Sequence, residues 1–246
     1  MPTRVPPGNV ASGPISEFLG GYPSTNFDFF PYAGLHRPVV LCTVPPAHIE
    51  DVPVVTEIEG EDGLVHVAVT RSDGGNGEGK VILRGGEGDL EIPLAFIAGA
   101  AQTTLRVPHA RLWSPDDPYL HDLTVLLTRG EQVVDRYRLD IGIRTIRVEG
   151  DQLLLNGRPI CLRGFGKHED FPIHGRGLNM PLIVKDYALM RWIGANSFRT
   201  SHYPYSEQMM GLADRLGFLV IDETPAVGLF FREEGLERRL GLCRQY

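Results

Sequence analysis

The 246-residue chain has no apolar run long enough to cross a membrane and no surplus of positive charge, with 24 Lys and Arg against 31 Asp and Glu for a net −7. The first absence predicts no membrane partner. The second argues against nonspecific binding to nucleic acid or anionic lipid. The opening residues, Met1-Pro2-Thr3-Arg4-Val5-Pro6-Pro7, contain no apolar stretch of the signal-peptide kind. Cysteine is scarce. Cys42, Cys161 and Cys243 are far apart, odd in number and match no metal-binding spacing. They predict free thiols in a reducing compartment, with the cytoplasm as the default. No HxH or HxxxH pair occurs, so a histidine-based metal site has little support, and no glycine-flanked serine marks a nucleophile elbow. No internal repeat and no low-complexity segment is present.

At 42% hydrophobic and 22% charged residues, the composition is that of a globular protein of one large or two modest domains. Residues 1–30, rich in Pro, Gly and Ser, read as a loop or frayed terminus. The run Val39–Val44 reads as a strand between Pro38 and Pro45-Pro46. From 50 to 147 the pattern is all β. Val65, Val67 and Val69 alternate with Leu64, His66 and Ala68, and further strands are expected at Val54–Ile58, Lys80–Leu83, Ala95–Ile97, Thr104–Val107, Leu123–Thr128 and Val133–Asp140. Short strands with glycine-rich breaks suit an immunoglobulin-like β-sandwich, with Trp113 as a core anchor rather than a ligand platform.

Near residue 150 the period changes. Asn156-Gly157 between Gln152–Leu155 and Ile160–Gly166 predicts a hairpin. A helix follows over 182–193, with Ile183, Tyr187 and Met190 on one face and Gly194 as its stop. Ala195–Thr200 is the next strand. Ser206 caps a second helix with the stripe Met209, Leu212, Ala213, Leu216, which Gly217 ends before the strand Phe218–Asp222. Alternation of this kind requires a parallel sheet. The stretch Phe230–Tyr246 reads as helical, with Leu236, Leu240 and Cys243 on one face.

Parallel α/β sheets bind ligands beyond the carboxyl ends of their strands. Three such ends are polar here: Gly166-Lys167-His168-Glu169-Asp170, Arg199-Thr200-Ser201-His202-Tyr203 and Asp222-Glu223-Thr224. Three together favour a site. Each residue also has a structural reading. His202 can tie its loop to backbone carbonyls, His168 and Glu169 can pair with neighbouring charges, and Arg199 can bridge a Glu or Asp inside the sheet's mouth. Asp222 and Glu223 can cap the following segment. A Ser-His-Asp hydrolase through Ser201 is the remaining catalytic alternative.

The run Val184–Tyr205, the segment Gly164-Phe165-Gly166-Lys167-His168-Glu169-Asp170 and the segment Val220-Ile221-Asp222-Glu223-Thr224 resemble the β-glucuronidases of glycoside hydrolase family 2. So do Phe27-Asp28-Phe29-Phe30-Pro31-Tyr32-Ala33-Gly34-Leu35-His36-Arg37 and Asp140-Ile141-Gly142-Ile143-Arg144-Thr145. The resemblance implies a multidomain β plus α/β chain: the C-terminal tail of a jelly-roll domain over 1–48, an immunoglobulin-like sandwich over 49–147, and the first strands and helices of a truncated (β/α)8 TIM barrel over 148–246. It implies retaining hydrolysis of β-D-glucuronosides by the full-length enzyme, no cofactor or metal, and a possible homo-oligomer.

By position, Asp28 and His202 match the family's sugar contacts, and Arg199, His168 and Glu169 stand as supporting residues. Retaining glycosidases need two carboxylates about 5–5.5 Å apart. In the family the acid/base follows an asparagine, and no Asn-Glu pair occurs in these 246 residues. Glu169, Asp170 and Glu223 match neither role, and the Asn-x-Lys motif that grips the sugar carboxylate is absent as well. The expectation is therefore no catalytic residue in this chain and no activity for it alone. His168-Glu169-Asp170-Phe171-Pro172-Ile173-His174-Gly175 leans toward the family's galactosidases, while Phe29-Phe30-Pro31-Tyr32-Ala33-Gly34 and Ser201-His202-Tyr203-Pro204-Tyr205 lean more strongly to glucuronidases. A noncatalytic carbohydrate-binding or assembly module is the alternative from another class.

Overall fold

The computed structural model describes residues 34–86, 88–224 and 236–244. They fall into two compact units: one of 41–161 with 214–217, the other of 34–40, 162–213 and the described residues from 218 onward.

The first unit holds two antiparallel sheets. One carries β1 (Ile49–Asp51) and β2 (Val54–Glu59) along one edge of β3 (Asp62–Arg71), with β6 (Ala100–Val107) along the other. The second runs in the order β5 (Leu90–Phe96), β4 (Gly77–Arg84), β7 (His121–Arg129), β8 (Gln132–Ile141). Val65, Val67 and Val69 of β3 all turn inward and meet Val81, Leu83, Leu105, Leu123, Val125 and Leu127 in one core. A period-two valine run can bury one face only as a strand, and each such side chain contributes about 1.5–3 kcal/mol on burial. Trp113 is fully buried, as an anchor should be, but it packs outside that core. The Arg144 guanidinium lies 4.4 Å over its ring, and its backbone N–H donates to the Ile143 carbonyl at 2.9 Å.

A three-strand meander, β9 (Ile146–Glu149), β10 (Gln152–Leu155) and β11 (Arg158–Pro159), completes this unit. Its Asn156-Gly157 turn has both φ angles positive, 51° and 73°, as a type I′ turn requires. Asn156 is doubly employed. Its Oδ1 accepts from the Thr145 N–H at 2.9 Å, and its Nδ2 donates to the Trp113 carbonyl at 3.0 Å.

The second unit is a parallel sheet, β12 (Gly166–Lys167), β13 (Ser197–Thr200) and β14 (Leu219–Ile221), with its helices. Helix α1 (Met180–Trp192) starts at Asn179, whose side chain accepts from the Leu182 N–H. It ends in a Schellman turn, with Gly194 N–H on Arg191 O and Ala195 N–H on Met190 O. Ile183, Tyr187 and Met190 are its buried residues. Tyr187 sits between Phe198 and Phe218, at ring separations of 5.9 and 5.1 Å, and donates to the Met209 carbonyl. Helix α2 (Glu207–Leu216) is capped by Ser206, whose Oγ accepts from the Met209 N–H. In helix α3 (Leu236–Cys243), Leu236, Leu240 and Cys243 are half-buried. Among the described residues no helix is long and apolar enough to cross a membrane.

Two strand expectations fail. Val39–Val44 is not a strand: Leu41 is 96% exposed, and among the described residues no strand pairs with the segment. An apolar run marks a strand only when a neighbour accepts its hydrogen bonds, and Pro38, Pro45 and Pro46 remove donors at both of its ends. The expected strand Ile160–Gly166 splits instead. Arg158–Pro159 closes the hairpin, Ile160–Phe165 is irregular, and the parallel strand begins at Gly166. Gly164 explains the approach, since a Cβ there would lie 2.0 Å from the Ser197 carbonyl oxygen.

Candidate functional site at the carboxyl ends of the parallel strands

The ends of β12, β13 and β14 bring the three polar segments together. The ends of β13 and β14 are joined by side chains. Thr200 Oγ1 donates to Asp222 Oδ1 at 2.7 Å and accepts the Glu223 N–H at 2.8 Å. The Glu223 carboxylate then spans two residues of β13 and its loop. One oxygen pairs with Arg199 Nη1, and the other lies 3.1 Å from His202 Nδ1. The His168 ring meets the His202 ring edge-on, with centroids 5.5 Å apart. His202, Glu223 and Arg199 all keep part of their surface in solvent, so the trio borders an accessible face.

Glu169 does something else. It is 2% exposed, and its carboxylate binds Arg37 and both the N–H and Oγ of Ser206. A carboxylate at a helix N-terminus meets unpaired amides and the positive end of the helix dipole. Glu169 therefore fastens the start of α2 and the segment around Arg37. Arg37 also donates to the Arg176 carbonyl, and Arg176 stacks 3.6 Å over the Tyr203 ring. Lys167 is buried as well, ion-paired to Asp186 at 2.6 Å. Burial pushes the Tyr203 and Tyr205 phenols up, so both remain protonated. The Tyr205 hydroxyl donates to the Lys167 carbonyl, and that of Tyr203 accepts the Glu169 N–H.

His202, His168 and Arg199 thus gather at the strand ends, with Arg199 in the carboxylate-bridging role read from the sequence. Glu169 supports the loop from within. Asp28 lies outside the described residues. The Ser201 hydrolase reading fails. Ser201 is 3% exposed, its Oγ has no hydrogen-bond partner among the described residues, and the neighbouring imidazole turns Nδ1 to Glu223. Among the described residues no group of three or more His, Cys, Asp or Glu is arranged to hold a metal ion.

Sequence reasoning passed over Glu223 as a cap and missed the Arg37–Glu169 pair. The first lies two residues beyond the β14 end, in a segment marked as polar, but nothing in the sequence says that its carboxylate turns to Arg199 in the neighbouring strand. The second joins residues 132 apart and leaves no local signal.

Residues 47–144 match the sequence pattern of glycosyl hydrolases family 2, and residues 146–239 match that of the family's TIM barrel domain. The chain belongs to glycosyl hydrolase family 2. Family 2 relatives include the β-glucuronidase of Mus musculus, 43% identical over 99% of this chain and 39% of its own length, and that of Paenibacillus borealis, 44% identical over 92% and 38%. The chain thus spans about two fifths of the length of these curated relatives. Among solved family 2 structures, the β-D-glucuronidase of Dictyoglomus thermophilum superposes with a TM-score of 0.75 at 45% identity, over 85% of this chain and 35% of that one. The β-glucuronidase of Ruminococcus gnavus in complex with D-glucuronic acid gives 0.71 at 42% identity, over 80% and 34%.

Proposed function

We propose that this chain supplies the sugar-positioning wall of a β-glucuronidase, a retaining hydrolase of β-D-glucuronosides. The observation that carries the reading is the His202–Glu223–Arg199 trio at the strand ends of a family 2 chain, in a sequence 42% identical to an enzyme solved with D-glucuronic acid. His202 and Asp28 contact the sugar in this reading, with Arg199, His168 and Glu169 behind them. The architecture is a jelly-roll tail (1–48), an immunoglobulin-like sandwich (49–147) and the opening part of a (β/α)8 barrel (148–246). Three well-separated thiols support a reducing, cytoplasmic setting. The substrate is a glycoside rather than a nucleic acid or membrane, and the whole enzyme is open to homo-oligomerisation.

The two best-placed glutamates are already committed, Glu169 to Arg37 and Ser206 and Glu223 to Arg199 and His202. This supports the reading that the acid/base and nucleophile come from outside these residues and that the chain alone is inactive. Phenol release from an aryl β-D-glucuronide by the purified chain, well above background, would overturn that part. The positioning role is tested in a chimera in which this chain replaces the matching stretch of the mouse relative. His202→Ala in the chimera is expected to lower kcat/KM about a hundredfold, since sugar hydrogen bonds that tighten in the transition state supply several kcal/mol. An active chimera indifferent to that change would sink the assignment.

A further inference from the structure

We propose that Arg37 is a positioning residue for His202, acting from outside the parallel sheet through the carboxylate of Glu169. The consequence for activity rests on His202 being a sugar contact, but the clamp itself is contained in this chain. His202 is carried by the loop Ser201–Ser206, which leaves β13 and enters α2. That loop is fastened to the end of β12 at several points. The Tyr205 hydroxyl donates to the Lys167 carbonyl, and the Tyr203 hydroxyl accepts the Glu169 N–H at 3.3 Å. One Glu169 oxygen accepts from both the N–H and the hydroxyl of Ser206. Ser206 Oγ in turn accepts the Met209 N–H, so the same carboxylate sets where α2 begins. Glu169, Tyr203, Tyr205 and Ser206 are all buried, and a buried carboxylate requires a counter-charge. Arg37 supplies it. Its Nη2 pairs with the other Glu169 oxygen, and its Nη1 donates to the Arg176 carbonyl at 3.3 Å. A guanidinium suits this place because its fork reaches a carboxylate and a carbonyl at once. The Arg176 side chain lies 3.6 Å over the ring of Tyr203, the residue that follows His202. Arg37 therefore holds the loop on both sides of His202, through Arg176 at Tyr203 and through Glu169 at Ser206. It does so from the segment 34–40, 132 positions away from Glu169 in the chain.

R37M keeps much of the side chain's apolar length and removes its charge. Glu169 is then a buried carboxylate without its cation, and it is expected to turn toward water and release Ser206. R37M/E169Q removes the charge on both sides, while the glutamine oxygen can still accept from Ser206. The first measurement is amide hydrogen exchange of the full chain with no sugar present. R37M is expected to speed exchange at Ser206 and Met209 about tenfold, part of the full penalty for breaking a buried pair because Arg37 is itself partly in solvent. Amides of α1 and β3 are expected to keep their rates. R37M/E169Q is expected to bring Ser206 and Met209 back to within about threefold of the wild-type chain. Unchanged exchange at these two amides in R37M, a loss shared by α1 and β3, or a double variant no better than R37M would each overturn the clamp. The second measurement is kinetic, in the chimera with the mouse relative. R37M is expected to lower kcat/KM about tenfold, within the hundredfold that a displacement of about 1 Å can cost. In a chimera already carrying His202→Ala it is expected to have no further effect. A merely structural role would lower activity equally in both backgrounds, and that result would overturn the positioning role. A chimera indifferent to His202→Ala would refute the functional reading, and the clamp would then stand or fall on the exchange rates alone.

Discussion

The sandwich and the parallel unit are built on different rules. In the sandwich, Val and Leu side chains of β3, β4 and β7 make one apolar core, and His121 and Thr124 of β7 are its buried polar side chains among the described residues. In the parallel unit, Lys167, Glu169, Ser197, Thr200, Ser201 and Ser206 are all buried beside Tyr187, Phe198 and Phe218. The sandwich is held by area removed from water, which is nondirectional. The parallel unit is held to a larger degree by specific partners, and a buried polar group without its partner is costly. A unit specified by pairs can fix side chains at its strand ends, as Glu223 does for His202, but it leaves a weaker trace in the sequence.

Cutting each unit at its centre tests the contrast. Leu123→Ala removes a fully buried side chain from the sandwich core and is expected to cost about 3 kcal/mol, within the range for such truncations. Hydrogen exchange should show the loss across β3, β4 and β7 together, because one cluster joins them. If only β7 loses protection, the sandwich is not the single cooperative core described here. Glu169→Ala comes next, at about 2 kcal/mol. It removes the carboxylate that holds the Ser206 N–H and leaves Arg37 without its ion pair, although part of Arg37 is in solvent and can rehydrate. Protection should fall at the start of α2 and along β13, and the sandwich strands should keep theirs.

These two sites also mark what the sequence discloses. Leu123 stands in an alternating run that advertises its strand and its inward face, and Asn156-Gly157 and Ser206 announce a turn and a cap by residue type alone. Glu169 advertises nothing, since its partners Arg37 and Ser206 lie 132 and 37 residues away. Val39–Val44 shows the same limit from the other side. Its apolar residues satisfy the pattern for a strand, but a strand needs a neighbour, and a local pattern does not contain one. His202 was legible because a polar strand end is a positional rule of parallel sheets. Its partner Glu223 was not, because an Asp-Glu pair after a strand does not say which carboxylate turns to the neighbouring strand and which to the backbone.

Acid probes the contrast more gently. His121 is fully buried in the sandwich, with Nδ1 and Nε2 near the carbonyls of Gly85 and Arg111, and burial pushes its pKa below the usual imidazole value. The folded chain then binds fewer protons than the unfolded chain as pH falls below about 6.5, so stability drops with acidification, by up to about 1.4 kcal/mol per pH unit until the folded imidazole itself titrates. Above that window the contribution is constant. His36 of the parallel unit is lowered too, by burial and then by Arg176 and Arg37, and acts in the same direction with a smaller weight because it is only half-buried. His121→Leu should flatten the acid limb of the sandwich's denaturation curve. An unchanged limb would assign the dependence elsewhere.

The smallest expected effect is the most direct check on whether pairing matters by burial or merely by presence. Lys80 and Glu91 form a 2.6 Å ion pair across β4 and β5, shorter than the contact between His202 and Glu223, but both side chains are a third or more exposed. Water already solvates those charges, and holding two flexible side chains together offsets much of the attraction. Glu91→Gln is therefore expected to change stability by about 0.5 kcal/mol or less, and the difference should vanish in about 1 M salt, where the screening length is near 3 Å. A loss comparable to that of Glu169→Ala would mean that short ion pairs stabilise this chain wherever they occur. The distinction between its two units would then reduce to secondary structure alone.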